Sequence, residues 1–209
     1  MSYSLLNNQN LPEGIYLGMA FIDHSQEVLQ SLEEEEIVEY ESIKSENRKN
    51  EFLSSRHLIR GLAAKFGLLE KDFRIRKDDL GKPYCETGAK HLFLSIAHSS
   101  DYVLCALSET IDIGIDLEPE DRKVHEGLKK RIFHPEEGDD IRSLQLIRIW
   151  TLKEALVKLH GGGLRTNLND LRLQRISDTE YATIFNDEKS ARICSFKHNE
   201  HWVSVAYYQ

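Results

Sequence analysis

The sequence predicts an α/β (α+β) fold of two pseudo-symmetric halves, each a long helix packed on a small, mostly antiparallel sheet. Three observations predict it: strand and helix patterns alternate, their order repeats, and a few residues recur near an offset of one hundred. Ser95, His98, Val103 and Ala106 return as Ser195, His198, Val203 and Ala206, while Ile15 and Gly18 match Ile111 and Gly114. The halves are placed at residues 1–109 and 110–209, and the cleft between them is the natural seat for a ligand.

The elements follow in order. Ile15, Leu17, Met19 and Phe21 alternate with other residues as a strand does. The acidic run Glu33 to Glu36 is expected to be a solvated helix face. A helix is predicted from about Asn47 to Phe66, carrying Phe52, Ile59, Leu62, Ala63 and Phe66 at helical spacing, with Gly67 just past its end. Arg48, Arg56 and Arg60 share one stripe of it. Phe73 and Ile75 read as a strand, residues 79–83 as a turn, and Leu92–Ala97 with Tyr102–Leu107 as a hairpin through His98-Ser99-Ser100-Asp101. The second half offers a strand over Ile111–Leu117, a polar connection, a helix ending at Gly161-Gly162-Gly163, and strands near 171–176, 181–185, 191–196 and 202–208.

Composition narrows the function. Lys and Arg number 27 against 35 Asp and Glu, a net charge of −8, which argues against a general nucleic-acid binder. The longest apolar runs reach about a third of the ~20 residues that a bilayer-spanning helix needs. The first eleven residues lack the basic and apolar regions of a signal peptide, so a cytoplasmic location is expected. Three widely spaced cysteines, Cys85, Cys105 and Cys194, are expected to be buried thiols, neither a disulfide framework nor a zinc site.

Two segments carry candidate chemistry. In Ile111-Asp112-Ile113-Gly114-Ile115-Asp116-Leu117-Glu118 the odd positions are aliphatic and the even ones place Asp112, Asp116 and Glu118 on one face. Carboxylates so aligned repel; a hard, oxygen-loving ion such as Mg²⁺ would neutralise them, and a solvent-facing edge strand is the alternative. In Trp150-Thr151-Leu152-Lys153-Glu154-Ala155-Leu156-Val157-Lys158, Trp150, Glu154 and Lys158 lie at successive four-residue steps opposite a Leu stripe, with Lys153 beside them. A Trp on a polar helix face implies that this face meets the other half or a ligand. Lys82 in Gly81-Lys82-Pro83, His98 and the arginine stripe offer donors for phosphate. No P-loop or dinucleotide-binding glycine pattern is present.

These residues together resemble the 4'-phosphopantetheinyl transferase superfamily. The resemblance rests on Gly114-x-Asp116-x-Glu118, Phe133 with Pro135-Glu136, Trp150-x-x-Lys153-Glu154-Ala155-x-x-Lys158, Gly163-Leu164, and the upstream Gly81-Lys82-Pro83 and His98-Ser99. The length and two-copy layout resemble the surfactin-synthetase-activator type, whose members are monomers of two pseudo-symmetric halves.

The resemblance implies transfer of the phosphopantetheine arm of coenzyme A, the co-substrate, to a serine of an apo acyl or peptidyl carrier protein, with release of adenosine 3',5'-bisphosphate. It implies Mg²⁺ at Asp116, Glu118 and Glu154, and catalytic parts for Glu154, Lys158 and His98. Coenzyme A would be held by Arg48, Arg56, Lys82, His98, Ser99, Lys153 and Lys158. Neither nucleic acid nor membrane is an expected partner. Ala97 stands where the family commonly has serine, and the connection from Glu120 to Gln145 is short. In relatives that connection meets the carrier; here Lys123, Lys129, Lys130 and Arg131 with Leu128, Ile132 and Phe133 would suit an acidic carrier helix. The alternatives are a non-catalytic coenzyme A or carrier-binding module derived from such a transferase, and a metal-dependent phosphohydrolase.

Overall fold

A computed structural model describes residues 2–23, 29, 32–88, 91–163, 166–185 and 189–209; Leu164 of the motif lies outside them. Strand β1 (Tyr3–Leu5) pairs with β2 (Ile15–Phe21), and α1 (Glu34–Ser42) and α2 (Glu46–Ala63) follow. Then come β3 (Phe73–Lys77), β4 (Pro83–Thr87), β5 (His91–His98) and β6 (Tyr102–Ser108). The second part contains β7 (Ile113–Pro119), the short helices α3 (Lys129–Ile132) and α4 (Asp139–Arg142), the long α5 (Leu146–His160), and β8 (Gln174–Arg175), β9 (Glu180–Phe185), β10 (Lys189–His198) and β11 (His201–Tyr208). One sheet has the order β1-β2-β6-β5-β4-β3 and the other β7-β11-β10-β9-β8, every pairing antiparallel.

Strand alternation produces three cores. Val103, Cys105 and Leu107 of β6 pack on Leu58, Ile59 and Leu62 of α2. Leu104 and Ala106, one residue out of phase, meet Ile113, Ile115 and Leu117 of β7 and Val203 and Val205 of β11 between the sheets. Ala191, Ile193 and Ala206 pack beneath Leu152, Leu156 and Leu159 of α5. The layers therefore run helix, sheet, sheet, helix. Ile115 N donates to Ser95 Oγ at 3.0 Å, joining the sheets beside Asp116.

The local signals explain the boundaries. Ser45 caps α2 by accepting from Arg48 N. Gly67 and Gly161 close the two long helical segments in left-handed conformation, φ 71° and 76°. The predicted strand over 171–176 shrinks to β8, because Leu171 and Leu173 turn into the α5 core after a short 3-10 turn at Leu168–Asp170. In the acidic run Glu33, Glu34 and Glu35 are exposed as expected, but Glu36 is buried, with Oε1 2.8 Å from Arg56 Nε and Oε2 2.6 Å from Arg60 Nη2.

The residue identities at an offset of one hundred do not mark equivalent sites. Val103 faces α2 whereas Val203 faces the other sheet, and Ala106 and Ala206 are reversed in the same way. Each hairpin has a two-residue turn, Ser100-Asp101 and Asn199-Glu200, so their first following residues, Tyr102 and His201, correspond. One residue of slip in a period-two element reverses every side chain. Gly18 nevertheless lies against Leu58 and Leu62 of α2, and Gly114 against Ala155 and Leu159 of α5. The three cysteines are free and buried, as expected. No helix among the described residues is long and apolar enough to cross a membrane.

Candidate active site

The site begins with Gly114. A Cβ there would stand 2.2 Å from both Ala155 O and Leu159 N, so only glycine lets the α5 backbone rest directly on β7. That contact brings Glu154 and Lys158, one turn apart on α5, over Asp116 and Glu118, which share the Gly114 face of β7.

Asp116 is buried, and its Oδ1 accepts from Lys158 Nζ at 2.8 Å. Its Oδ2 is buried without a hydrogen-bond partner. A carboxylate oxygen withdrawn from water and unsatisfied is costly unless a cation completes it. Glu118 is held by the Arg122 guanidinium. Burial raises the Glu118 carboxyl above its ordinary pKa; the Arg122 hydrogen bond opposes this, and Asp116 adds to it. Burial likewise raises Glu154, followed by repulsion from Asp116, with Lys158 opposing. The three acids thus share one electrostatic field with excess negative charge.

Among the described residues, no three His, Cys, Asp or Glu side chains stand in a preformed metal cage. Lys158 and Arg122 occupy oxygens of Asp116 and Glu118. The orphaned Asp116 oxygen and the all-carboxylate donor set nonetheless fit a hard divalent cation.

Two hollows share Lys158 in their walls. One, about 540 Å³, is lined by Leu128, Arg131, Trp150, Glu154, Lys158 and Leu168, which explains the Trp on the polar side of α5. The other, about 240 Å³, lies between the β3–β4 turn, with Gly81, Lys82 and Pro83, and the end of α5, with Lys158 and Gly161. His98 ends β5 with Nε2 3.5 Å from Glu51 Oε2, and shares a third hollow with Arg48 and Lys77. Burial lowers the His98 pKa, with Lys158 and Arg48 acting in the same direction and Glu51 opposing, so a neutral imidazole is favoured.

Several expected ligand contacts fall elsewhere. Lys153 is fully buried: its ammonium is 2.7 Å from Glu137 Oε1 and donates to the Ile132 and Leu168 carbonyls, leaving no hydrogen for phosphate. Glu137, the residue after the Pro135-Glu136 pair, also accepts from His134 N and Leu173 N. Arg56 is clamped by Glu36 and Glu39 over the Phe52 ring, tying α1 to α2. Ser99 is buried, with its hydroxyl 3.1 Å from His201 Nε2 and accepting from Tyr102 N.

Lys82 lines the cleft, but its ammonium bonds to Asp112 and to Leu159 O, latching the first sheet to α5. Asp112 is thereby separated from the other acids. Ala97 is buried between the sheets, so its departure from the family pattern alters packing there. Ile132 belongs to the α5 core, whereas Lys123, Lys129 and Arg131 are exposed. Arg122 and Glu137 escaped the sequence reading; the turn in which Arg122 N donates to Pro119 O is what brings the arginine back to Glu118.

Between β7 and α5, Asp116, Glu118 and Glu154 with the Lys158 ammonium form a cluster whose chemistry suits a cation together with a phosphorylated ligand. Residues 112–206 match the family model of the 4'-phosphopantetheinyl transferase superfamily. The chain is 30% identical over 153 residues to the 4'-phosphopantetheinyl transferase HetI of Nostoc sp. strain PCC 7120, covering 66% of this chain and 63% of that protein. It is 30% identical over 138 residues to a 4'-phosphopantetheinyl transferase of Bacillus subtilis, covering 61% and 58%. To Sfp of Bacillus subtilis strain 168 it is 26% identical over 141 residues, covering 64% and 62%. The chain thus spans about three fifths of these relatives' length.

Proposed function

We propose that this protein transfers the 4'-phosphopantetheine arm of coenzyme A to a serine of an apo acyl or peptidyl carrier protein and releases adenosine 3',5'-bisphosphate, dependent on Mg²⁺. The observation that carries the reading is the buried, unpartnered Asp116 oxygen beside Glu118, Glu154 and Lys158. Asp116, Glu118 and Glu154 would hold the ion, which when bound neutralises charge on the pyrophosphate oxygens.

Glu154, its basicity raised by burial and by its acidic neighbours, takes the proton of the carrier serine hydroxyl. The serine oxygen bonds to the phosphorus that bears pantetheine, and the bond from that phosphorus to the bridging oxygen breaks. The electron pair leaves with adenosine 3',5'-bisphosphate. Lys158 and His98 hold phosphate oxygens, and Arg48 addresses the nucleotide end. Lys82 shapes the cleft through its latch, and the exposed basic residues of the 120–145 connection face the carrier. We read the chain as a monomer of two pseudo-symmetric halves, 1–109 and 110–209, of the surfactin-synthetase-activator type, working in the cytoplasm.

The test is intact-mass spectrometry of apo carrier proteins incubated with this protein, coenzyme A and Mg²⁺, with and without EDTA. A gain of one phosphopantetheine that EDTA suppresses is the expected result. Unchanged mass across several carriers, with coenzyme A still bound, would replace this reading with a non-catalytic binding module.

A further inference from the structure

Asp116 and Glu118 each already hold a basic side chain. Lys158 reaches Asp116 from the last turn of α5, and Arg122 reaches back to Glu118 from just beyond β7. These are the only oxygens of the two acids so engaged among the described contacts, and Asp116 Oδ2 faces no donor at all. Both basic groups are accessible enough to leave: the Lys158 side chain is 31% exposed and that of Arg122 51%. Their carboxylate partners are only 10% and 12% exposed, so the basic ends are the ones able to move, whereas a pair buried at both ends is fixed. Lys153, 0% exposed on the same helix, shows the contrasting fixed arrangement.

We propose that Lys158 and Arg122 are resident counter-cations of the carboxylate site, which a divalent cation displaces, and that a polyphosphate ligand promotes the exchange by accepting the released Lys158 ammonium. The inference rests on the functional reading above and extends it. In the free protein the two basic groups neutralise Asp116 and Glu118 and compete with a divalent ion for the same oxygens. When pyrophosphate arrives, Lys158 finds a better-charged acceptor, Asp116 is vacated, and the ion enters beside it. Arg122 yields to solvent. Cation and ligand then bind with positive coupling, and linkage requires each to strengthen the other by the same factor.

A ligand's own pyrophosphate attracts a divalent ion, so coupling alone does not identify the counter-cations. The discriminating quantity is cation affinity without ligand. Calorimetric titration of MnCl₂ and MgCl₂ into the wild-type protein, Lys158→Met and Arg122→Ala, each with and without coenzyme A, separates the two effects. Both variants are expected to bind the metal several-fold more tightly than wild type in the absence of coenzyme A. Lys158→Met should also lose most of the ligand-induced gain, which for coupled sites is roughly 5- to 150-fold.

Unchanged metal affinity in both variants would overturn the proposal while leaving the transferase reading standing, provided the wild type binds coenzyme A with Mg²⁺. Failure of the wild type to bind coenzyme A under any condition would instead remove the functional reading on which the proposal rests. Lys158→Gln, nearer in shape and polarity, guards against a folding defect and should show the same direction of change.

Discussion

Gly114 and Ala155 touch through their backbones: a Cβ on the glycine would lie 2.2 Å from the Ala155 carbonyl oxygen. Glu154, the neighbour of Ala155, owes its position over Asp116 to that contact. Gly114→Ala is therefore expected to lift α5 from β7, costing about 1–3 kcal/mol or more, because the obstacle is backbone and not a side chain that can turn. Gly18→Ala is the control. Its Cβ would meet only the Leu58 and Leu62 side chains, at 3.0 and 3.1 Å, which can yield. Thermal midpoints of the two variants check the ordering, and coenzyme A binding should fall in the first alone.

Glu154→Gln should separate chemistry from stability. The amide keeps the shape of the side chain and removes one of three repelling charges, so the thermal midpoint is expected to hold or rise. Transfer to carrier protein should fall by about 10²–10⁴-fold, the usual contribution of a positioned general base. A variant with wild-type turnover would remove Glu154 from the reaction.

The Lys153–Glu137 pair is expected to behave as a fold determinant. Lys153→Met leaves a buried carboxylate without its cation and should cost about 3–5 kcal/mol. Combining it with Glu137→Gln, which removes the stranded charge but keeps an acceptor for only one of the His134 and Leu173 amides, should recover part of the loss. Chemical denaturation of the single and double variants measures the coupling. A stable Lys153→Met protein with impaired coenzyme A binding would restore the lysine to the ligand site.

Burial pushes the Cys85 thiol up to about 12 and the Cys194 thiol up to about 11, and it raises Cys105 as well. Native protein at pH 8 should therefore resist iodoacetamide at all three positions and react once unfolded. The sign for stability follows from linkage. Folded-state values above the unfolded value mean that the thiols' contribution is complete below pH about 9 and is lost progressively as pH rises through the folded values. Replacing Cys85 with Ala should flatten the alkaline limb of a stability–pH profile; an unchanged limb would show that another group sets it.

Periodicity made the acids of β7, the Leu stripe of α5 and the glycine stops of the long helices legible from the chain alone, because each depends on neighbours within one element. The same information placed Glu154 and Lys158 on one face. What escaped depended on elements far apart in sequence. Lys153 sits one residue from Glu154, and only the packing of the 132–137 and 168 segments against α5 takes its ammonium out of the cleft. Arg56 and Arg60 have the look of a phosphate comb until α1 lays Glu36 across them. The sequence determined which residue types could meet a cation and a phosphate; tertiary structure decided which of their charges remain available, since a charged group withdrawn from water is committed to whatever neighbour the fold brings to it.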